Sequence, residues 1–118
     1  MSATIFSNAT RTTRFAKPAD TNAATMYTVE SLPRAHLDSL NIASTGAASY
    51  TVWINDGTTD YLLADAISLG ANARVDLDFG QPVLLEGWSV KVKTSSANNL
   101  TFALQIAEHY RMTTGFKV

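Results

Sequence analysis

The chain has 118 residues, a net charge of −1, no cysteine, and 46 % hydrophobic against 16 % charged residues. That length fits one domain around a single core. The charge balance argues against a nucleic-acid binder, and the missing thiols exclude disulfides, thiolate metal sites and a cysteine nucleophile. No apolar run reaches the roughly 18–20 residues of a membrane-spanning helix. The opening MSATIFSNATRTTRF lacks the continuous apolar stretch of a secretory signal.

Residues 1–24 read as an extended N-terminal arm. Small polar residues and alanine dominate, Ile5, Phe6 and Phe15 are the large apolar side chains, and Arg11, Arg14 and Lys17 against Asp20 give a local charge of +2. No helical or alternating period runs through the segment. Such a stretch buries too little to offset its own ordering entropy. Its order is therefore expected to come from a neighbouring copy or a larger assembly. Ile5, Phe6 and Phe15 would be the apolar anchors, and the three cations the contacts to acidic neighbours.

From residue 25 the dominant period is two. Val75, Leu77 and Phe79 alternate with Arg74, Asp76 and Asp78; Trp88, Val90 and Val92 alternate with Ser89, Lys91 and Lys93; Leu100, Phe102, Leu104 and Ile106 repeat the pattern. Tyr50, Val52 and Ile54 share a face of another run. Alternation of this kind marks half-buried strands. Strands are predicted near 25–30, 35–43, 48–55, 59–64, 73–79, 83–85, 88–94 and 99–107, separated by turn residues such as Asn55-Asp56-Gly57-Thr58 and Ser95-Ser96-Ala97-Asn98-Asn99. Leu62–Leu69 and Ala35–Asn41 also carry apolar residues at helical spacing; the second is kept as strand because Ile42-Ala43 run straight into a turn. The expected fold is all-β: one antiparallel β-sandwich or jelly roll of about eight short strands, with an arm over 1–24, the sandwich over 25–107 and a C-terminal tail over 108–118.

Residues capable of chemistry do not assemble into a site. His36 and Asp38 are expected on one strand face with Ser39 on the other, which breaks a nucleophile–base pair. Asp76 and Asp78 share a face that reads as solvated, opposite Val75 and Leu77. Asp56, Asp60 and Asp65 lack the alternating ligand pattern of a calcium loop. His109 has no partner at zinc-ligand spacing. With Tyr110 and Arg111 it reads instead as a contact region, since tyrosine and arginine are favoured at interfaces. Asn8-Ala9-Thr10 and Asn99-Leu100-Thr101 match the glycosylation acceptor pattern and are read as chance. Trp53 lies opposite the apolar face of its strand, beside Thr51 and Asn55, as an exposed aromatic contact for a sugar or a subunit, or else as part of a strand covered on both sides. No catalytic residue, cofactor or metal is assigned.

One resemblance follows from the order of these segments. Met26-Tyr27-Thr28-Val29, Leu40-Asn41-Ile42-Ala43-Ser44-Thr45-Gly46, Tyr50-Thr51-Val52-Trp53-Ile54-Asn55-Asp56-Gly57, Tyr61-Leu62-Leu63, the Leu69–Ala73 loop and Leu84-Leu85-Glu86-Gly87-Trp88-Ser89-Val90-Lys91-Val92 together resemble a type of small tailed-bacteriophage virion protein. The resemblance covers about residues 25–107 and rests on turn spacing and strand pattern; Trp88 departs from the small or acidic residue expected after the Glu-Gly turn. It implies a non-enzymatic β-sandwich component present in many copies, most simply a capsid decoration or minor capsid protein. Its partners would be the major capsid protein and copies of itself, with no nucleic acid or membrane. It would reside in the virion after assembly in the host cytoplasm, where the absence of cysteine is no handicap. Alternatives are a tail or head–tail adaptor component, a carbohydrate-binding module using Trp53 with Tyr50 or Tyr61, and, last, a small hydrolase using Asp76 and Asp78.

Overall fold

The computed structural model describes residues 8–31 and 34–110. Nine strands are found among them: β1 (Asn8–Ala16), β2 (Ala24–Thr28), β3 (Arg34–Ser44), β4 (Ala48–Asn55), β5 (Asp60–Leu69), β6 (Arg74–Leu77), β7 (Val83–Leu85), β8 (Ser89–Thr94) and β9 (Leu100–Tyr110). They form two antiparallel sheets. One has the order β1-β9-β3-β6, with β7 also pairing β3; the other runs β2-β8-β4-β5. β6 and β7 share the same flank of β3, opposite residues 40–43 and 34–36 respectively.

The period-two pattern explains why the sheets face each other. Along β4 burial alternates at every residue, with Tyr50, Val52 and Ile54 inward. Val90, Val92, Phe102, Leu104 and Ile106 are buried, as their alternation predicts. Val75, Leu77, Phe79 and Trp88 pack against the same cluster but are only partly buried. The first two belong to β6, which flanks the sheet and receives neighbours on one side only.

Four departures from the sequence reading have physical causes. Residues 8–16, expected within an arm, form β1 and pair with β9 from Asn8↔Tyr110 to Ala16↔Phe102. An edge strand draws on backbone hydrogen bonds along one side and needs little apolar side-chain area, so the Thr and Arg residues of Thr10–Arg14 suffice and no hydrophobic period is left to read. β9 likewise continues to Tyr110, past the expected start of the tail. β5 runs on to Leu69 through register shifts opposite Tyr50–Trp53, with Ala66 at φ 48° and its amide donating to Thr51 Oγ1 over 3.1 Å. Such irregularity breaks strict alternation and produces the helix-like spacing. Finally, β3 carries a register shift between Leu37 and Ser39. Burial switches there from Ala35 and Leu37 to Leu40 and Ile42, so Asp38 and Ser39 both leave the core.

Candidate assembly surfaces

The register arranges the outer face of the five-stranded sheet in rungs. Phe15, Ala103, Asn41 and Asp76 lie side by side across β1, β9, β3 and β6; Arg11, Ala107, His36 and Val83 form a second rung on β1, β9, β3 and β7. Phe15 is 73 % exposed beside the small Ala103. Arg11 reaches across β9 to an ion pair with Asp38, whose side chain is only 12 % exposed against 77 % for Arg11. Ala107 lies under that crossing and is 7 % exposed although it faces outward. A longer side chain there would obstruct the arginine. Asn41 donates to the Asp76 carboxylate, and Arg74 approaches the same group at 3.8 Å.

Beside β1 the two sheets meet at β2. The Arg14 guanidinium stands 5.7 Å from the centre of the Tyr27 ring and donates to Thr12 Oγ1 over 3.2 Å. The Tyr27 hydroxyl in turn donates to Glu108 over 2.6 Å. Lys17 is exposed just beyond β1. Tyr110 closes β9; its side chain, like Ile5, Phe6 and Arg111, lies outside the described residues.

The two histidines of the chain, 73 positions apart, meet on neighbouring strands. His36 Nδ1 and His109 Nε2 are 2.7 Å apart, with ring centroids at 4.5 Å and planes at 88°. Sequence spacing cannot reveal this pair, because only the β3–β9 register brings residue 36 next to residues 107–109. Burial, then the His36 and Arg34 charges, hold the His109 imidazole below its ordinary range, and Asp38 opposes them.

On the four-stranded sheet Trp53 faces outward, as its strand position predicts, but is half-buried between its register neighbours Lys91 and Leu62. It is not the freely exposed aromatic contact expected. Leu62 and Ile67 are exposed on β5, and Tyr61 stacks on Trp88 at 6.3 Å.

The β3 irregularity puts Ser39 opposite the exposed Gln105, so the expectation that it faces away from His36 is corrected. Asp76 is held by Asn41 and Arg74, while Asp78 falls past the end of β6 and accepts from the Gly80 amide over 2.9 Å. Asp56 organises its own turn, accepting from the amides of Thr58 and Thr59 at 3.0 and 2.7 Å and from the Tyr61 hydroxyl at 2.9 Å. These donors bring its carboxyl down to about 2, and Asp56 in turn raises Tyr61. Among the described residues no group of three or more His, Cys, Asp or Glu is placed to hold a metal ion, and no helix is long and apolar enough to cross a membrane.

No protein-family model matches the sequence, and no curated protein does. Solved structures do match the fold. A chain of the acid-stable capsid of a Helicobacter pylori bacteriophage aligns with TM-score 0.58 and 11 % identity over 90 % of this chain and 91 % of its own. A chain of the Bacillus endospore appendages, which are disulfide-linked pili, gives 0.57 and 13 % over 92 % of each. The particle of infectious bursal disease virus gives 0.54 and 12 % over 88 % of this chain but 31 % of the matched one. The fold is jelly-roll-like. At these identities the likeness establishes architecture, with no family defined by sequence.

Proposed function

We propose that this chain is a non-enzymatic structural protein of a tailed-phage virion, a capsid decoration or minor capsid component that contacts the major capsid protein and copies of itself. The observation that carries the reading is the match, domain for domain, to a phage capsid chain of nearly equal length. The endospore pilus supports the same broad role, a jelly-roll unit used as a building block, but its disulfide linkage is closed to a chain without cysteine. In this reading residues 1–24 act in attachment even though 8–16 of them form β1. Phe15 is the apolar contact on the outer sheet face, Arg11, Arg14 and Lys17 supply charge, and Ile5, Phe6, Tyr110 and Arg111 extend the contact at the chain ends. Many weak contacts of this kind give avidity in a particle that no single interface needs to supply.

The test is quantitative mass spectrometry of purified particles carrying wild-type chain or Phe15→Ala. The expected result is a fixed multiple of copies per particle for wild type, and reduced occupancy for the variant at equal expression. Particles that lack the protein altogether would overturn the reading.

A further inference from the structure

We propose that His36 and His109 form a two-histidine site for a late first-row divalent transition-metal ion that favours right-angled coordination, Cu²⁺ first and Ni²⁺ second. The proposal goes beyond the virion reading above and does not depend on it.

The β3–β9 register builds the pair. His36 lies opposite Ala107 and Arg34 opposite His109, so the two imidazoles occupy neighbouring rungs on the outer face of the five-stranded sheet. Both are half-buried and therefore within reach of solvent. The small Ala107 leaves room for the rings to approach each other across it. β9 is held between β1 and β3, and β3 between β9 and the β6–β7 flank, so each histidine stands on a strand with partners on both sides. Ligands on such strands are positioned more firmly than ligands on loops. Arg11 is matched by Asp38, and Arg34 is exposed, where solvent screens its repulsion of a cation.

Ring geometry points to convergence on one ion. His36 Nδ1 and His109 Nε2 are 2.7 Å apart and the ring centres 4.5 Å apart. Rings aimed straight at each other in a linear hydrogen bond of that length would hold their centres about 5.0 Å apart, so these are bent toward a common side. Two imidazoles at a right angle on one ion, with metal–nitrogen bonds of about 2.0 Å, hold their nitrogens about 2.8 Å and their ring centres about 4.5 Å apart. The tetrahedral angle of Zn²⁺ needs about 3.3 and 5.1 Å. Both observed separations fit the right angle, which belongs to square-planar and tetragonal ions with nitrogen ligands. On binding, the nitrogen that carries the bridging proton passes it to the other nitrogen of its own ring, so both imidazoles stay neutral and no net proton is lost. Water fills the remaining positions on the ion. Because the ligands come from the start of β3 and the end of β9, a bound ion clamps the two strands and stabilises the native chain.

The chain has two histidines and no cysteine, so no other imidazole or thiolate competes in the test. Titration calorimetry of the full chain with Cu²⁺, Ni²⁺ or Zn²⁺ alone is expected to give one ion per chain, bound most tightly for Cu²⁺ and least for Zn²⁺. His36→Asn and His109→Asn, shown to be folded by circular dichroism, should each weaken Cu²⁺ binding at least about tenfold, the least that losing even a supporting residue of a metal site costs. Electron paramagnetic resonance of the Cu²⁺ form should be axial, with couplings from two imidazole nitrogens that fall to one in either variant. Should a variant fail to fold, the wild type alone decides: a small fraction of an equivalent of Cu²⁺ should broaden the nuclear magnetic resonance signals of both histidine rings before any others. Either variant binding Cu²⁺ as tightly as wild type, Zn²⁺ bound as tightly as Cu²⁺, or broadening confined to one ring would each overturn the proposal. None of these results bears on whether the chain is found on purified particles, so the two ideas fail separately.

Discussion

Tyr27 and Glu108 tie the two sheets together, the β2 hydroxyl donating across the sandwich to the β9 carboxylate over 2.6 Å. Hydrogen bonds to charged acceptors contribute more than neutral ones, so Tyr27→Phe should lower unfolding free energy by about 1–3 kcal/mol. Chemical denaturation measures this directly. A midpoint unchanged in the variant would show that the sheets are held by apolar contact alone at this corner.

The His36–His109 contact predicts acid sensitivity. A histidine held below its ordinary range takes up its proton more readily in the unfolded chain than in the native one, so its stabilising contribution is complete above about 6.5 and is lost as pH falls through the lower native value. The groups facing the pair are Arg34 and Asp38 from β3 and Arg11 from β1, with Val83 and Leu85 from β7. Melting temperature should therefore drop on acidification below pH 6.5. His109→Asn should flatten that slope, and an identical pH profile in the variant would count against it.

Asp56 gives a second and separate pH window. With its carboxyl near 2 in the native turn against an ordinary 3.8, its contribution persists above 3.8 and disappears as pH falls toward 2. Proton titration followed by nuclear magnetic resonance should place its midpoint near 2. Tyr61→Phe removes one of the donors and should move that midpoint upward.

Phe102 is fully buried in the middle of the core. Phe102→Ala should cost about 3–5 kcal/mol through lost transfer energy and the cavity left behind. Asp78→Asn, at an exposed site past β6, should stay within about 0.5 kcal/mol. Equal denaturation midpoints for the two would mean that the inward and outward faces have been exchanged.

A chain beginning at Ala24 should lose stability and aggregate. It lacks β1, whose nine residues cover the edge of β9, and it lacks Pro18, whose carbonyl accepts from the Asn98 amide over 2.8 Å. An uncovered eleven-residue edge is a template for pairing between chains. Thermal melting and light scattering report both effects; a soluble monomer melting like the full chain would show that β1 adds nothing to the sandwich.

The fold class was legible in the amino-acid order alone, because a core strand must alternate in order to bury one face: Tyr50, Val52 and Ile54 of β4, Val90 and Val92 of β8, and Phe102, Leu104 and Ile106 of β9 all point inward as their period requires, whereas Ser89, read as outward, is buried at the start of β8. The amino-acid order also marked the turns, since Gly57, at φ 104°, and Asp56 leave a compositional trace wherever a hairpin needs them. What it could not show was any feature held by backbone pairing or by long-range register. β1 is polar because an edge strand need not be apolar, and so it read as an arm. Ser39 changed faces because one extra residue in β3 inverts every side chain beyond it. The two histidines and the Arg11–Asp38 pair each join strands that are neighbours only in the folded sheet. Side-chain period is a local quantity and survives in the sequence; which strands become neighbours is set by the packing of the whole sandwich, a long-range property that no local pattern encodes.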